Sequence, residues 1–319
     1  MTAYIVRRLV MAVFVLFMVT LVVFFVMRLI PGDPLIIFLG QSAQLGSMSA
    51  EELEHLRKEY GLDKPIVVQY VNWLRDITSG NLGTSIYYRE KVGKLLMERF
   101  PITLHIGLTA YVVANGLGVL LGLLAAVRRG TWIDAVATTF ANVGITIPVF
   151  WLGLLLMYVL GLKLGWLPIS GYTSPFQNFW LSMKQIIMPV ACLSVTGLAV
   201  IARQTRSSML EVIRQDYIRT AWSKGLGERL VIMRHALKNS LIPVITLMGI
   251  GLGLVFGGSV LVETVFAIPG VGRLLVSSVF AKDYVVIQSG TLIIASIIVM
   301  INLIVDIAYG WLDPRIRYT

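Results

Sequence analysis

Six long apolar stretches of this chain contain no Asp, Glu, Lys or Arg: Leu9–Met27, Pro101–Val127, Ala135–Leu162, Gln185–Ala202, Asn239–Val262 and Tyr284–Val305. A bilayer core about 30 Å thick is crossed by roughly 20 apolar residues at about 1.5 Å rise each. All six reach that scale. The longest exceed a straight crossing, so they predict helices that tilt or run past the membrane surface. Lipid offers no hydrogen-bond partner, and the backbone must satisfy itself. The expected fold class is therefore all-α integral membrane, with six transmembrane helices and a small helical extracytoplasmic region.

Composition agrees. The chain is 57% hydrophobic and 14% charged, against roughly 25% charged in a soluble domain. A net charge of +10 could point to nucleic acid. Its distribution argues against that partner, because the basic residues flank the apolar spans and form no continuous stripe. The lipid bilayer is the partner they fit. Cys192, the single cysteine, lies inside a span, excludes an intrachain disulfide and reads as a packing residue. Arg7 and Arg8 precede an apolar run too long for a secretory h-region and without an A-x-A cleavage site, so the first 30 residues read as a retained helix.

Lys and Arg concentrate on the cytoplasmic side of short loops. The loop 203–238 carries eight basic residues against three acidic ones, and Arg128 and Arg129 mark another basic loop. The opposite short loops hold only Lys163, Lys184, Arg273 and Lys282. Both termini are expected to be cytoplasmic. The chain divides into an N-terminal tail and first helix (1–30), an extracytoplasmic helical region (31–100) and a core of five further spans (101–319).

The outer region is patterned. Ser49-Ala50-Glu51-Glu52 reads as a capping box opening a helix that runs to Tyr60 and stops at Gly61. A second helix follows Pro65, with Ile66, Tyr70, Trp73 and Ile77 on one face and Gly80 at its close. A third contains Val92, Leu95 and Leu96 and is expected to end before Pro101. This region predicts a cap on the membrane mouth, a docking surface for an extracytoplasmic partner, or both.

Catalytic chemistry is missing from the sequence. It has no G-x-x-x-x-G-K-[ST] phosphate loop, no H-E-x-x-H and no G-x-S-x-G. His55, His105 and His235 are far apart, so no catalytic or metal site is expected and no cofactor is expected to bind this chain. A proton-coupled secondary transporter would fit the spans, but such proteins use ionisable residues near the midplane. None of the six stretches contains one other than His105. Glu263 and Asp306 sit at span ends and read as anchoring or pairing groups. Asn142 and Thr146, four apart on one helical face, and Ser194 and Thr196 are the candidates for a wet translocation path. The competing role is bonding between helices. Pro148 is expected to disturb the third span. Gly116, Gly118 and Gly122, with the glycines of span five, are expected to permit close helix packing.

The loop 203–238 is the most informative hydrophilic segment. Tyr217, Ile218, Ala221 and Trp222 fall on one helical face, and Gly225 follows where a left-handed turn would end that helix. Leu230, Met233 and Leu237 make a second apolar face. Helix, glycine turn and helix predict a stiff knob on the cytoplasmic surface, or an amphipathic helix lying on anionic lipid.

The run Asp216-Tyr217-Ile218-Arg219-Thr220-Ala221-Trp222-Ser223-Lys224-Gly225-Leu226, continued by His235 to Pro243, resembles the E-A-A loop of ABC-importer permeases. Arg219-Thr220-Ala221 stands where that pattern has E-A-A, and Pro243 falls later than the usual proline. Both departures resemble the di/oligopeptide and nickel branch. So do Pro31-Gly32-Asp33-Pro34, Tyr60 to Pro65, Gly80-Asn81-Leu82-Gly83-Thr84-Ser85, Thr205 to Val212, Ile268 to Leu275 and Asp313 to Arg317. Together and in order they resemble the first permease subunit of that branch. The resemblance implies a type I permease fold in the inner membrane and a coupling helix formed by Asp216 to Ala221 with Trp222, Lys224 and Gly225. It implies three kinds of company: a second homologous permease, two cytoplasmic ATPase subunits that use ATP and Mg, and an extracytoplasmic substrate-binding protein. Short peptides are the expected substrate. Nickel chelates, glutathione and oligosaccharides are the alternatives within the branch.

Overall fold

The computed structural model describes residues 2–29, 54, 55, 58, 63–85 and 87–312. The capping box Ser49–Glu52 and most of the helix expected to follow it, with the Pro31–Pro34 motif, lie outside the described residues. In order, the helices are α1 (Thr2–Leu29), α2 (Ile66–Thr78), α3 (Val92–Val127), α4 (Trp132–Thr146), α5 (Val149–Leu156), α6 (Phe179–Val212), α7 (Asp216–Ser223), α8 (Leu237–Val265), α9 (Val271–Phe280) and α10 (Tyr284–Leu312). Five described helices are long and apolar enough to cross a membrane. The total is six if the bent pair α4 and α5 is one span. Apolar side chains stay uncovered along α1, with Val10, Val13 and Phe14 each at least 60% exposed. Lipid, not water, is the solvent that tolerates such a surface.

Two boundaries depart from the sequence expectation, and the disturbance expected at Pro148 is a full break. The outer helix over Val92–Leu96 does not end before Pro101. It continues through the proline as α3, a single 36-residue helix. Proline frees the carbonyl four residues earlier. Here that residue is Met97, 79% exposed, so its carbonyl can find another donor. The third span is broken. α4 and α5 meet at 107°. The cause is local: a residue before proline is pushed out of the α region, and Ile147 is extended at φ −70, ψ 124, with Pro148 at φ −61, ψ 128. α5 then continues as a π-helix over Met157–Lys163. Span four is longer than its charge-free core, so Arg203 to Val212 are helix rather than loop.

Chain contacts divide the protein into two units, residues 1–102 with 269–319, and residues 103–268. In the first, Phe24 of α1 meets Tyr70 edge-on at 5.3 Å and Trp73 at 5.6 Å. The Thr20 and Tyr70 hydroxyls lie 2.8 Å apart. Tyr70 and Trp73 therefore face inward as their spacing predicts, whereas Ile66 is 49% exposed. At the other end of α1, Arg8 pairs with Asp306 at 3.0 Å, and the Tyr4 hydroxyl donates to the Asp306 carbonyl at 3.1 Å. A second core joins Val92, Leu95 and Leu96 to Val271 and Leu274 of α9 and Val286 of α10. The segment Gly80–Ser85 is stitched to α10. Ser85 donates to the buried Asp283 carboxylate, as does the Tyr87 amide at 3.2 Å, and Ser289 donates to the Leu82 carbonyl at 2.9 Å.

In residues 103–268, small residues bring backbones together. A Cβ on Gly118 would lie 2.8 Å from the Ile201 side chain, and one on Gly122 would lie 2.6 Å from Thr205 Cβ. α3 and α6 thus approach more closely than any larger residue allows. Gly116 has open space instead, so the packing role expected of all three belongs to Gly118 and Gly122. Cys192 is buried with a free thiol.

Candidate coupling surface and translocation path

α7 is the site's central element. It is eight residues long, with Gln215 extended before it and Asp216 in its first turn, where a carboxylate suits the helix dipole. Ile218 and Ala221 are buried. They share a core with Ala126 of α3, Met209 of α6, and Val231 and Ala236. Below this core the Ser240 hydroxyl donates to the Met209 thioether at 2.9 Å. Burying an isoleucine side chain contributes about 1.5–3 kcal/mol, which suffices to seat so short a helix on the end of α6.

The other half of the expected face does not turn inward. Tyr217 is 42% and Trp222 41% exposed. Asn239 donates to the Tyr217 hydroxyl at 2.7 Å, which braces the ring from outside. Arg219, 3.6 Å from Asp216 along the helix, is exposed with it. Thr220 donates back to the Asp216 carbonyl at 3.0 Å. Gly225, at φ +77, closes the knob after Lys224. The result is a stiff, solvent-facing ridge of aromatic and charged side chains on a buried aliphatic foot.

The second apolar face is shifted. Leu230 and Met233 are exposed, while Val231 and Ala236 are buried. The reason is the π-helix over Val231–Ala236. Its i→i+5 hydrogen bonds make a wider turn than the α-helix, and the buried side chains, Val231 and Ala236, depart from the 3.6-residue period. A reading at 3.6 residues per turn misses them.

The four candidate path residues separate into two pairs. Asn142 and Thr146 are exposed on α4, and the Thr146 hydroxyl donates to the carbonyls of Val143 at 3.0 Å and Asn142 at 3.3 Å. Ser194 is buried and donates to the Ala191 carbonyl of its own helix at 3.1 Å. Thr196 is partly buried and reaches across to the Gly144 carbonyl of α4 at 3.5 Å. Ser194 is therefore held on its own helix and Thr196 against α4, while Asn142 and Thr146 lie on the exposed side of α4.

The end of this unit around Thr103 and Glu263 holds polar contacts that sequence reading left unpaired. Thr103 donates to Glu263 at 2.7 Å, anchoring a fully buried carboxylate near the end of α8. His105 Nδ1 lies 3.0 Å from the Tyr172 hydroxyl, which belongs to the segment between α5 and α6. Burial raises the Tyr172 phenol above its ordinary range, so it meets the imidazole as a neutral hydroxyl. At the opposite end, Arg206 grips Asp134 through both carboxylate oxygens. No sequence signal singles out that pair, because charges at span ends are expected everywhere.

An all-helical core with five or six helices apolar enough to cross a membrane, and a short helix seated on the end of α6, make this a multi-pass membrane protein. The chain belongs to the family of inner membrane components of binding-protein-dependent transport systems. The family model matches residues 118–318, and the model for the N-terminal part of these components matches residues 1–107. The relatives are close over the full chain. It is 40% identical to the di/tripeptide transport system permease protein DppB of Pseudomonas aeruginosa, covering 100% of this chain and 99% of that protein. It is 41% identical to the probable peptide ABC transporter permease y4tP of Sinorhizobium fredii, over 100% of both. Among solved structures, the fold matches the inward-facing MetNI methionine ABC transporter at a TM-score of 0.56 and 18% identity, over 69% of this chain and 96% of that one.

Proposed function

We propose that this chain is the permease subunit of an ATP-driven importer for short peptides. It would form the translocation path with a second homologous permease, take substrate from an extracytoplasmic binding protein and couple to two cytoplasmic ATPase subunits, which hold the ATP and Mg. The observation that carries the reading is α7, whose foot is packed on the membrane core while Tyr217, Arg219 and Trp222 face outward. A lipid-bound amphipathic helix would present its apolar face to the membrane instead. Here the aliphatic face is occupied by the protein, which leaves the aromatic and charged ridge for a protein cleft. The peptide class is supported by relatives identical at 40% or more over the full chain.

The mechanism is mechanical. ATP closes the ATPase pair, and α7 carries that displacement into α6. The inner loops would lie in the cytoplasm with both termini, as the distribution of Lys and Arg favours. A peptide brings polar amides and charged ends, so its route must be wet at membrane depth. Asn142 and Thr146 are the path-lining groups in this reading.

Photo-crosslinking tests the docking surface. A photoreactive residue at Lys224 of the assembled transporter is expected to capture an ATPase subunit, and one at Lys94 is not. Capture of lipid alone at Lys224 would overturn the coupling assignment.

A further inference from the structure

The inner end of residues 103–268 contains a clamp that the coupling reading has not used. Arg206 donates to Asp134 with both prongs, Nε to Oδ1 at 2.6 Å and Nη2 to Oδ2 at 2.9 Å. The Gly130 amide donates to Oδ2 at 3.0 Å, and the Thr138 hydroxyl reaches Oδ1 at 3.4 Å. Asp134 is only 7% exposed. A bidentate guanidinium–carboxylate pair fixes direction as well as distance, unlike a point-charge contact.

Its position gives that rigidity a use. Asp134 lies in the first turn of α4. Arg206 lies on α6 one turn before Met209, whose side chain is part of the core that seats α7. Beside the clamp, Gly122 of α3 lies directly against Thr205 of α6. α4 and α6 pack along one another, and a small gap remains beside the clamp where both meet α3. A cavity of about 50 Å³ is lined there by Ala137, Thr138, Ala141, Asn142, Arg203 and Arg206. Helix packing supplies contact without a fixed direction, whereas the ion pair ties α6 to the first turn of α4 at a set distance and orientation. From Asp134, α4 runs through Asn142 and Thr146 to the break at Pro148.

We infer that the Asp134–Arg206 pair is the positioning link by which displacement of α7 and α6 is passed to α4 and its exposed Asn142 and Thr146. This rests on the importer reading above. A pair that only stabilised the fold would support assembly without carrying nucleotide-dependent motion.

The test uses the complete transporter with its ATPases in lipid nanodiscs, with Cys192 replaced by Ala. Single cysteines at Thr146 and, as reference, at Glu228 are reacted with a charged maleimide, without nucleotide and after ATP–vanadate trapping. Both rates are expected to change with nucleotide in the otherwise unaltered transporter. Asp134→Asn keeps the volume and the Gly130 bond but loses the charge. It should weaken the nucleotide dependence at position 146 by roughly fivefold or more, and leave that at position 228 intact. Arg206→Lys, which keeps the charge but not the fork, should do the same, and it carries the test alone if Asp134→Asn does not assemble. Asp134→Asn with Arg206→Gln should be no worse than either single change. Full nucleotide dependence at position 146 in these variants would overturn the link while leaving the importer reading in place. If neither position responds in the unaltered transporter, the importer reading fails and the link fails with it.

Discussion

Gly225 sits at φ +77 with no atom within 4 Å of where a Cβ would be. Space is therefore no obstacle to substitution, and the backbone conformation is. Placing a side chain there costs about 1–2 kcal/mol, and more for a β-branched residue. Gly225→Val should misplace α7 while membrane insertion persists. A penalty of that size changes the docked population by roughly 5- to 30-fold, so transport should fall by a similar factor, with ATP hydrolysis uncoupled or the ATPases lost. Normal transport in Gly225→Val would remove the knob from the mechanism. This glycine was legible because a helical face stops beside it. Asp134 and Arg206 were not, since each looks like an ordinary charge bordering an apolar run, and only the fold reveals that they meet. Leu230 and Met233 were misassigned for a geometric reason: the π-helix changes the period on which the assignment depended.

At the scale of elements, the apolar spans were readable because hydrocarbon enforces one solution for the backbone. Their breaks were harder to foresee. Pro101, Pro189 and Pro243 all lie inside continuous helices, yet Pro148 ends one. The difference lies in the preceding residue: Ile147 has left the helix, whereas Phe100, Met188 and Ile242 remain helical. α9 also escaped, because ten residues are too short to register as a span. Orientation is the prediction that belongs here. In intact cells, or spheroplasts where an outer membrane is present, a cysteine at the exposed Lys94 should react with an impermeant reagent applied outside, and one at Glu228 should not. Labelling at Glu228 with protection at Lys94 would invert the topology.

For the whole molecule, the account divides labour between a passive path and an external motor. No phosphate-binding loop occurs in the sequence, and the fold leaves Asn142 and Thr146 of α4 and Tyr217, Arg219 and Trp222 of α7 exposed. The family membership at full length fits that division. The most direct measurement is uptake of labelled dipeptides into liposomes containing this chain, its partner permease and the ATPases, with the binding protein outside and the nucleotide inside the lumen. The account predicts accumulation that requires ATP and the ATPases, is absent with a non-hydrolysable analogue, and is indifferent to dissipation of the proton gradient. Accumulation by this chain without ATPase subunits, driven by a proton gradient, would contradict it.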